Sequence, residues 1–219
     1  MSLHEANFEH VDLEDRQETS ALQSIGFRVF DLAVTFLLLP IVIPAILVAA
    51  LAIKLSDPKA PAFFSQTRYG LKGKPFKIFK LRTMVPNAEA LKADLLELST
   101  DKGQGFKIER DPRITKIGRI LRKSYFDELP QFLNVFKGDM SVVGPRANSY
   151  HPSTYEAWQL KRLDVKPGLT GDWQVSRAKS YDFADRCKID NEYVEQKSVW
   201  GDLVLIFKTA QVVVNRSGQ

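Results

Sequence analysis

From Leu32 to Ile53 the chain carries no charged residue. The run reads LAVTFLLLPIVIPAILVAALAI, with Arg28 and Asp31 before it and Lys54 after it. A helix of about 20 predominantly apolar residues crosses a bilayer, so this run predicts a membrane segment. Pro40 and Pro44 lie inside it. Each lacks an amide donor and crowds the preceding turn, which predicts a break or a kink. Such a helix either spans the bilayer or dips in and returns to the same face, and the pattern leaves both open. The Lys and Arg residues that follow place everything after Lys54 in the cytoplasm.

The flanking pattern is polar and more finely divided. Residues 1–24 are acidic and read as a mobile tail, without the basic start or cleavage site of a secretory signal. Residues 56–86 are basic and rich in turn signals. Gly70, Gly73 and Pro75 mark a turn, and Phe76 to Leu81 alternates like a strand, sending Lys77 and Lys80 to opposite faces. This strand either places a cation at a phosphate site or is an exposed edge studded with lysines against aggregation. Helical spacing covers 87–100, and a Gly-containing loop covers 102–110. Residues 111–123 set Ile114, Ile117, Ile120 and Leu121 against Arg113, Lys116, Arg119, Arg122 and Lys123, a basic amphipathic stretch weakened by Gly118. Stretches of this kind lie on anionic membrane surfaces or line anion sites. Further helices are expected at 131–136, 153–164 and 182–197, with a rigid turn carrying Trp173 at 166–174. The apolar stretch Trp200 to Val214 is too short to cross a bilayer and reads equally as an interfacial helix or a core helix.

Composition narrows the partners. The 219 residues are 44% hydrophobic and 26% charged, with a formal net charge of +5. That excess suits nucleic acid, an anionic membrane surface or a diphosphate. No nucleic-acid-binding motif is present, and lipid and diphosphate account for the cations. A single cysteine, Cys187, excludes a disulfide framework or a cysteine-rich metal site. His4 and His10 sit in the acidic tail and His151 stands alone, which argues against a histidine triad or metal cluster. There is no phosphate-binding glycine loop and no Asp-x-Asp pair. The remaining chemistry is that of carboxylates, cations and a metal ion.

The carboxylates stand together in Ser124-Tyr-Phe-Asp127-Glu128-Leu-Pro130-Gln131. Ser124 followed by Asp127 resembles a capping box, so a helix is expected to open here, with Pro130 tolerated in its first turn. Helix neighbours point about 100° apart, so Asp127 and Glu128 do not easily grip one atom together. They suit two jobs, one carboxylate as nucleophile and the other as ligand to a hard cation such as Mg2+. The plainer alternative is a solvated acidic pair at an ordinary helix start, favoured by the helix dipole.

Several longer motifs resemble the bacterial sugar transferase family, the monotopic polyprenyl-phosphate hexose-1-phosphate transferases, over about Phe27 to Ser217. They are Arg28-Val-Phe-Asp31, Lys74-Pro-Phe-Lys77-Ile-Phe-Lys80-Leu-Arg82-Thr83-Met84 and Asp111-Pro-Arg113-Ile-Thr115. The resemblance continues through Phe126-Asp127-Glu128-Leu-Pro130-Gln131, Asn134-Val-Phe-Lys137-Gly138-Asp139-Met140-Ser141, Gly144-Pro145-Arg146 and Lys166-Pro167-Gly168-Leu-Thr170-Gly171. It implies transfer of a hexose-1-phosphate from a UDP-sugar to undecaprenyl phosphate with release of UMP, the first membrane step of exopolysaccharide, O-antigen or capsule assembly. By that resemblance Asp127 is the nucleophile, Glu128 the Mg2+ ligand and Asp190 a functional acid. Lys80, Arg82, Arg122 and Arg146 hold phosphates, and Pro44 marks the break of a re-entrant helix. The implied fold is α+β and mainly helical. It comprises an acidic tail (1–26), a re-entrant membrane helix (27–55) and a cytoplasmic catalytic domain with interfacial helices and a short β element (56–219). The implied location is the bacterial inner membrane, with a homodimer and downstream glycosyltransferases as further partners. Three positions depart from the family pattern: Ile43 precedes the break where serine is usual, Ala147 replaces proline and Asp172 replaces an aromatic. A non-catalytic membrane-anchored scaffold is the alternative reading.

Overall fold

A computed structural model describes residues 21–91, 93, 95, 108, 110–176 and 182–215. Helix α1 spans Ala21–Ser56, so it begins inside the stretch expected as tail; residues 1–20 lie outside the described residues. The two helices expected on either side of Pro44 are instead one helix with both prolines inside it. Pro40 and Pro44 are four residues apart, so the amides they lack would fall on the same side of the helix. The helix is long and apolar enough to cross a membrane, with a mean hydropathy of 2.9 over its apolar window.

One stripe of α1 packs on the rest of the chain. Asp31, Thr35, Val42, Ala49 and Ile53 are buried, whereas Leu37, Ile41, Leu47, Val48 and Leu51 are exposed. Near its start, Arg28 donates to the carbonyls of Val135 and Phe136 at 2.6 and 2.7 Å, and Asp31 accepts from Ser141 Oγ and the Val142 amide at 2.7 and 2.8 Å. Near its end, Ala49 and Ile53 pack with Ala62, Leu81 and Leu121. A helix whose other faces suit lipid is therefore pinned at two places to the polar domain.

Strand β2 (Pro75–Leu81) is the strand expected at Phe76 to Leu81. Across the expected turn it pairs antiparallel with β1 (Phe63–Tyr69), which the sequence pattern did not single out, with Phe63 opposite Leu81. Lys77 and Lys80 leave opposite faces: Lys77 Nζ donates to Thr67 Oγ1 on the exposed side. Helix α2 (Lys116–Lys123) is shorter than the amphipathic stretch suggested, because Thr115 caps it by accepting from the Gly118 amide at 2.9 Å. The preceding residues instead bury an ion pair, Asp111 with Arg113 at 2.7 Å. Gly118 has a packing reason: a Cβ there would be driven into the backbone carbonyl of Thr83. Gly118→Ala is thus expected to destabilise the fold by about 1–3 kcal/mol, the usual range for overpacking, despite alanine's better helix propensity, and thermal unfolding measures it.

Helix α3 (Phe132–Lys137) follows the carboxylate segment. Strands β3 (Ser141–Val143) and β4 (Gly168–Thr170) pair in parallel where the sequence suggested only turns. The α-helix expected over 153–164 is two 3-10 segments, Pro152–Thr154 and Ala157–Leu163. A short α4 (Asp172–Val175) and the helices α5 (Phe183–Gln196) and α6 (Val199–Val214) complete the chain. One side of the last apolar helix packs on the domain, with Asp202 and Leu205 buried, while Trp200, Phe207 and Val214 are exposed. The central core gathers Ile78, Val135, Met140, Val142, Val143, Val165, Tyr193 and Leu205. The helix expected at 87–100 and the loop at 102–110 lie largely outside the described residues. Mainly helical with short strands is the architecture observed.

Candidate functional site

The carboxylate segment does not open an α-helix. Ser124 closes α2 instead: its hydroxyl donates to the carbonyls of Ile120 and Leu121 at 3.0 and 3.2 Å. Back-bonding to carbonyls three and four residues earlier is the competing use of a serine hydroxyl, and here it wins over the capping box. Tyr125 then takes a left-handed conformation, φ 60 and ψ 11, and turns the chain into a 3-10 segment, Phe126–Gln131. Left-handed geometry in a non-glycine residue costs energy and is concentrated at functional positions. Its effect here is to turn Asp127 inward, where it is buried.

The 3-10 segment is held against β2 by Asn134. This fully buried side chain donates to the Lys77 carbonyl at 2.7 Å and accepts from the Phe79 amide at 3.1 Å. It satisfies β2 backbone groups as a neighbouring strand would, and so sets Lys80 beside the acidic pair. Lys80 Nζ lies 2.7 Å from Glu128 Oε1. Arg146 grips the same carboxylate with both terminal nitrogens, Nη1 to Oε2 at 3.0 Å and Nη2 to Oε1. Burial would raise the Glu128 pKa, but Arg146 and Lys80 overcome it and hold the group well below the usual carboxylate range. Burial has the opposite outcome at Asp127. There it raises the pKa, opposed by Lys80 and Arg122 and reinforced by Glu128. One carboxylate is thus fixed as an anion and its neighbour is desolvated. That is the division between a positioned electrostatic partner and a reactive nucleophile.

Of the other residues singled out from sequence, Arg122 is near: its Nε donates to Thr83 Oγ1 at 2.8 Å and its charge bears on Asp127. Arg82 is not brought to the site. Its Nε donates to the Pro61 carbonyl at 2.8 Å and its guanidinium lies over Phe64, so it does not line the cavity beside the pair. Asp190 does not touch the pair either. It is buried against Arg162, with Nε 3.0 Å and Nη2 2.8 Å from its Oδ2. Arg162 in turn donates to the Arg146 carbonyl at 2.8 Å, so Asp190 acts on the site through two arginines. Pro44 lies far along the chain from all of these, inside an unbroken helix.

Beside the pair lies a cavity of about 190 Å3. Lys80 and Arg146 form one part of its wall, and Arg68, Arg162, Arg186 and Trp173 form others. The last three arginines were not singled out from sequence; only the general excess of cations pointed to them. A hard cation would be held by Glu128, the carboxylate fixed as an anion, rather than gripped by both members of the pair. Among the described residues no third His, Cys, Asp or Glu joins them. One carboxylate, with the remaining positions left to phosphate oxygens and water, is a usual environment of Mg2+, so Glu128 fits that ion bound together with a diphosphate.

The chain matches the family described as bacterial sugar transferase over residues 22–216. It is 46% identical to the galactosyl transferase CpsE of Streptococcus agalactiae over 162 residues, covering 72% of this chain and 36% of that protein. It is 38% identical to the undecaprenyl-phosphate galactose phosphotransferase of Salmonella typhimurium, covering 87% of this chain and 41% of the relative. With the exopolysaccharide production protein ExoY of Rhizobium meliloti it shares 35% identity, and the match covers 90% of each chain. The chain therefore spans about two fifths of the length of the first two relatives and nearly all of the third.

Proposed function

Because the chain belongs to the bacterial sugar transferase family, we propose that it transfers a hexose-1-phosphate from a UDP-sugar to undecaprenyl phosphate, releasing UMP, in exopolysaccharide assembly. The observation that carries the chemistry is the buried Asp127 beside a Glu128 already neutralised by Lys80 and Arg146. An Asp127 oxygen attacks the sugar-bearing phosphorus, and the bond from that phosphorus to the bridging oxygen breaks, so UMP departs. The lipid phosphate then attacks the same phosphorus and the Asp127 carboxylate is the leaving group. Lys80, Arg146 and Arg122 neutralise charge on the phosphoryl oxygens as it develops. A Mg2+ ion held by Glu128 would supply further neutralisation of the diphosphate.

The surface suits an acceptor whose tail stays in lipid. Ile120, Phe126, Leu133 and Phe136, on α2, the carboxylate segment and α3, are exposed beside the apolar helix α1. Arg119 and Lys123 are exposed on α2, where cations attract an anionic leaflet. With α1 pinned near its start and its end to the same domain, we read it as re-entrant, with the domain on the cytoplasmic face of the bacterial inner membrane. That path needs a bend at Pro40 and Pro44 in the membrane, which the continuous helix does not display.

The test is UMP release from a panel of UDP-sugars with undecaprenyl phosphate in nanodiscs; no release with any of them would overturn the proposal. The same assay gives a pH prediction. Asp127 must be ionised to attack, and its pKa is raised by burial. The acid limb of the rate is therefore expected above the ordinary aspartate value of about 4. Lys80→Met should move that limb to still higher pH, because Lys80 is the strongest influence lowering Asp127. A limb unmoved by the substitution would contradict the assignment.

A further inference from the structure

The cations around the cavity differ in what neutralises them. Lys80 and Arg146 are spent on Glu128, and Arg162 on Asp190. Arg68, on β1, makes no ion pair with a carboxylate among the described residues. Its Nη2 donates to a neutral acceptor, Gln66 Oε1, at 2.8 Å, and its Nε is buried without a hydrogen-bond partner. Two other cavity-lining side chains share this condition: Gln131 Nε2 and Trp173 Nε1 are also buried and unpartnered. All three orphans are donors. A buried donor left unpaired costs about 1–3 kcal/mol, so three in one cavity wall imply a ligand rich in acceptors. The charge bookkeeping agrees, because burial and the neighbouring Arg146 lower the Arg68 pKa and the more weakly acting Glu128 offsets only part of that.

We infer that Arg68 is an anion seat for the donor's diphosphate, with Gln131 and Trp173 as neutral donors to the same ligand. This rests on the proposed transferase reading for the identity of the ligand, but not for the seat itself. Lys80 and Arg146 orient the acidic pair, whereas Arg68 approaches the ligand from β1, the opposite partner in the hairpin. Its guanidinium, like that of Arg186, has no ion-pair partner among the described residues, and of the two only Arg68 also carries a buried, unpartnered N–H. A charge-assisted hydrogen bond of this kind is worth about 10- to 100-fold in affinity.

The experiment uses the full chain in nanodiscs, with inorganic pyrophosphate and UMP as probes in titration calorimetry, alongside thermal unfolding without ligand. Arg68→Met should weaken both probes about 10- to 100-fold while leaving the ligand-free melting temperature equal or higher, since it removes a desolvated, repelled charge. Arg68→Lys keeps a charge and serves if the methionine variant fails to fold; it should bind more weakly than the parent, because lysine lacks the planar fork. Unchanged pyrophosphate and UMP affinities in either variant would overturn the inference, as would a parent protein that binds neither probe. Arg68-dependent binding without sugar-phosphate transfer from any UDP-sugar would support the seat and overturn the transferase reading, so the two failures are distinct.

Discussion

Asp127→Asn is expected to abolish transfer, with a loss of about four to six orders of magnitude, the scale seen when a covalent nucleophile is removed. The substitution is nearly isosteric and its site is buried, so the fold should survive. The loss should therefore appear in a single turnover without lipid acceptor, because the first half-reaction itself needs the carboxylate. UMP release at parental rates from the variant would show that Asp127 only supports another group. Glu128→Gln should behave differently. It leaves Lys80 and Arg146 without their shared anion, so it disturbs the electrostatics of the cavity while leaving the nucleophile in place.

The largest expected effect on stability belongs to Asp190→Ala. Arg162 and Asp190 are both almost fully buried, and removing one partner strands the other charge in the interior. Such a loss costs about 3–5 kcal/mol. Replacing both, as Asp190→Leu with Arg162→Met, should recover much of that stability, because a buried ion pair and an apolar pair of similar size are often nearly equal. Activity should not recover with it. Arg162 also donates to the carbonyl of Arg146, whose side chain grips Glu128. Thermal unfolding and UMP release on the single and double variants separate the two roles. Equal activity in the double variant and the parent would show that Asp190 supports the fold alone.

Elements with strong periodicity were legible in the sequence. The apolar run pointed to α1, the turn residues and the alternation after them to the turn and β2, though not to its partner β1, and the charged and apolar C-terminal stretches to α5 and α6. What the sequence did not show has identifiable causes. The strands β3 and β4 are short and gain their pairing from contact between distant segments, Ser141 with Gly168 and Val143 with Thr170. Local composition around Lys166, Pro167 and Gly168 speaks only of a turn. Ser124 carries the residue pattern of a helix start and serves as a helix end, because its hydroxyl finds the carbonyls behind it before the amides ahead. The two prolines predict an interruption, yet the helix continues through them. Proline removes particular hydrogen bonds, and it does not oblige the neighbouring residues to leave helical geometry.

The site divides in the same way. Asp127 and Glu128 were visible as adjacent charges, and Lys80 and Arg146 as cations in long motifs. Their convergence on one carboxylate is a product of folding, brought about largely by Asn134 bridging α3 to β2. Arg82, two residues from Lys80, looked equivalent from its sequence neighbourhood. It lies just beyond the end of β2 and bonds a backbone carbonyl instead. Arg68 was one cation among many until its missing partner became visible.

Intact-protein and peptide mass spectrometry after incubation with UDP-sugar alone tests most directly whether Asp127 becomes covalently loaded. A hexose phosphate on the peptide containing Asp127, absent from Asp127→Asn and discharged by undecaprenyl phosphate, is the expected result. Transfer to lipid at full rate with no such adduct at any time, or an adduct on a different residue, would contradict it.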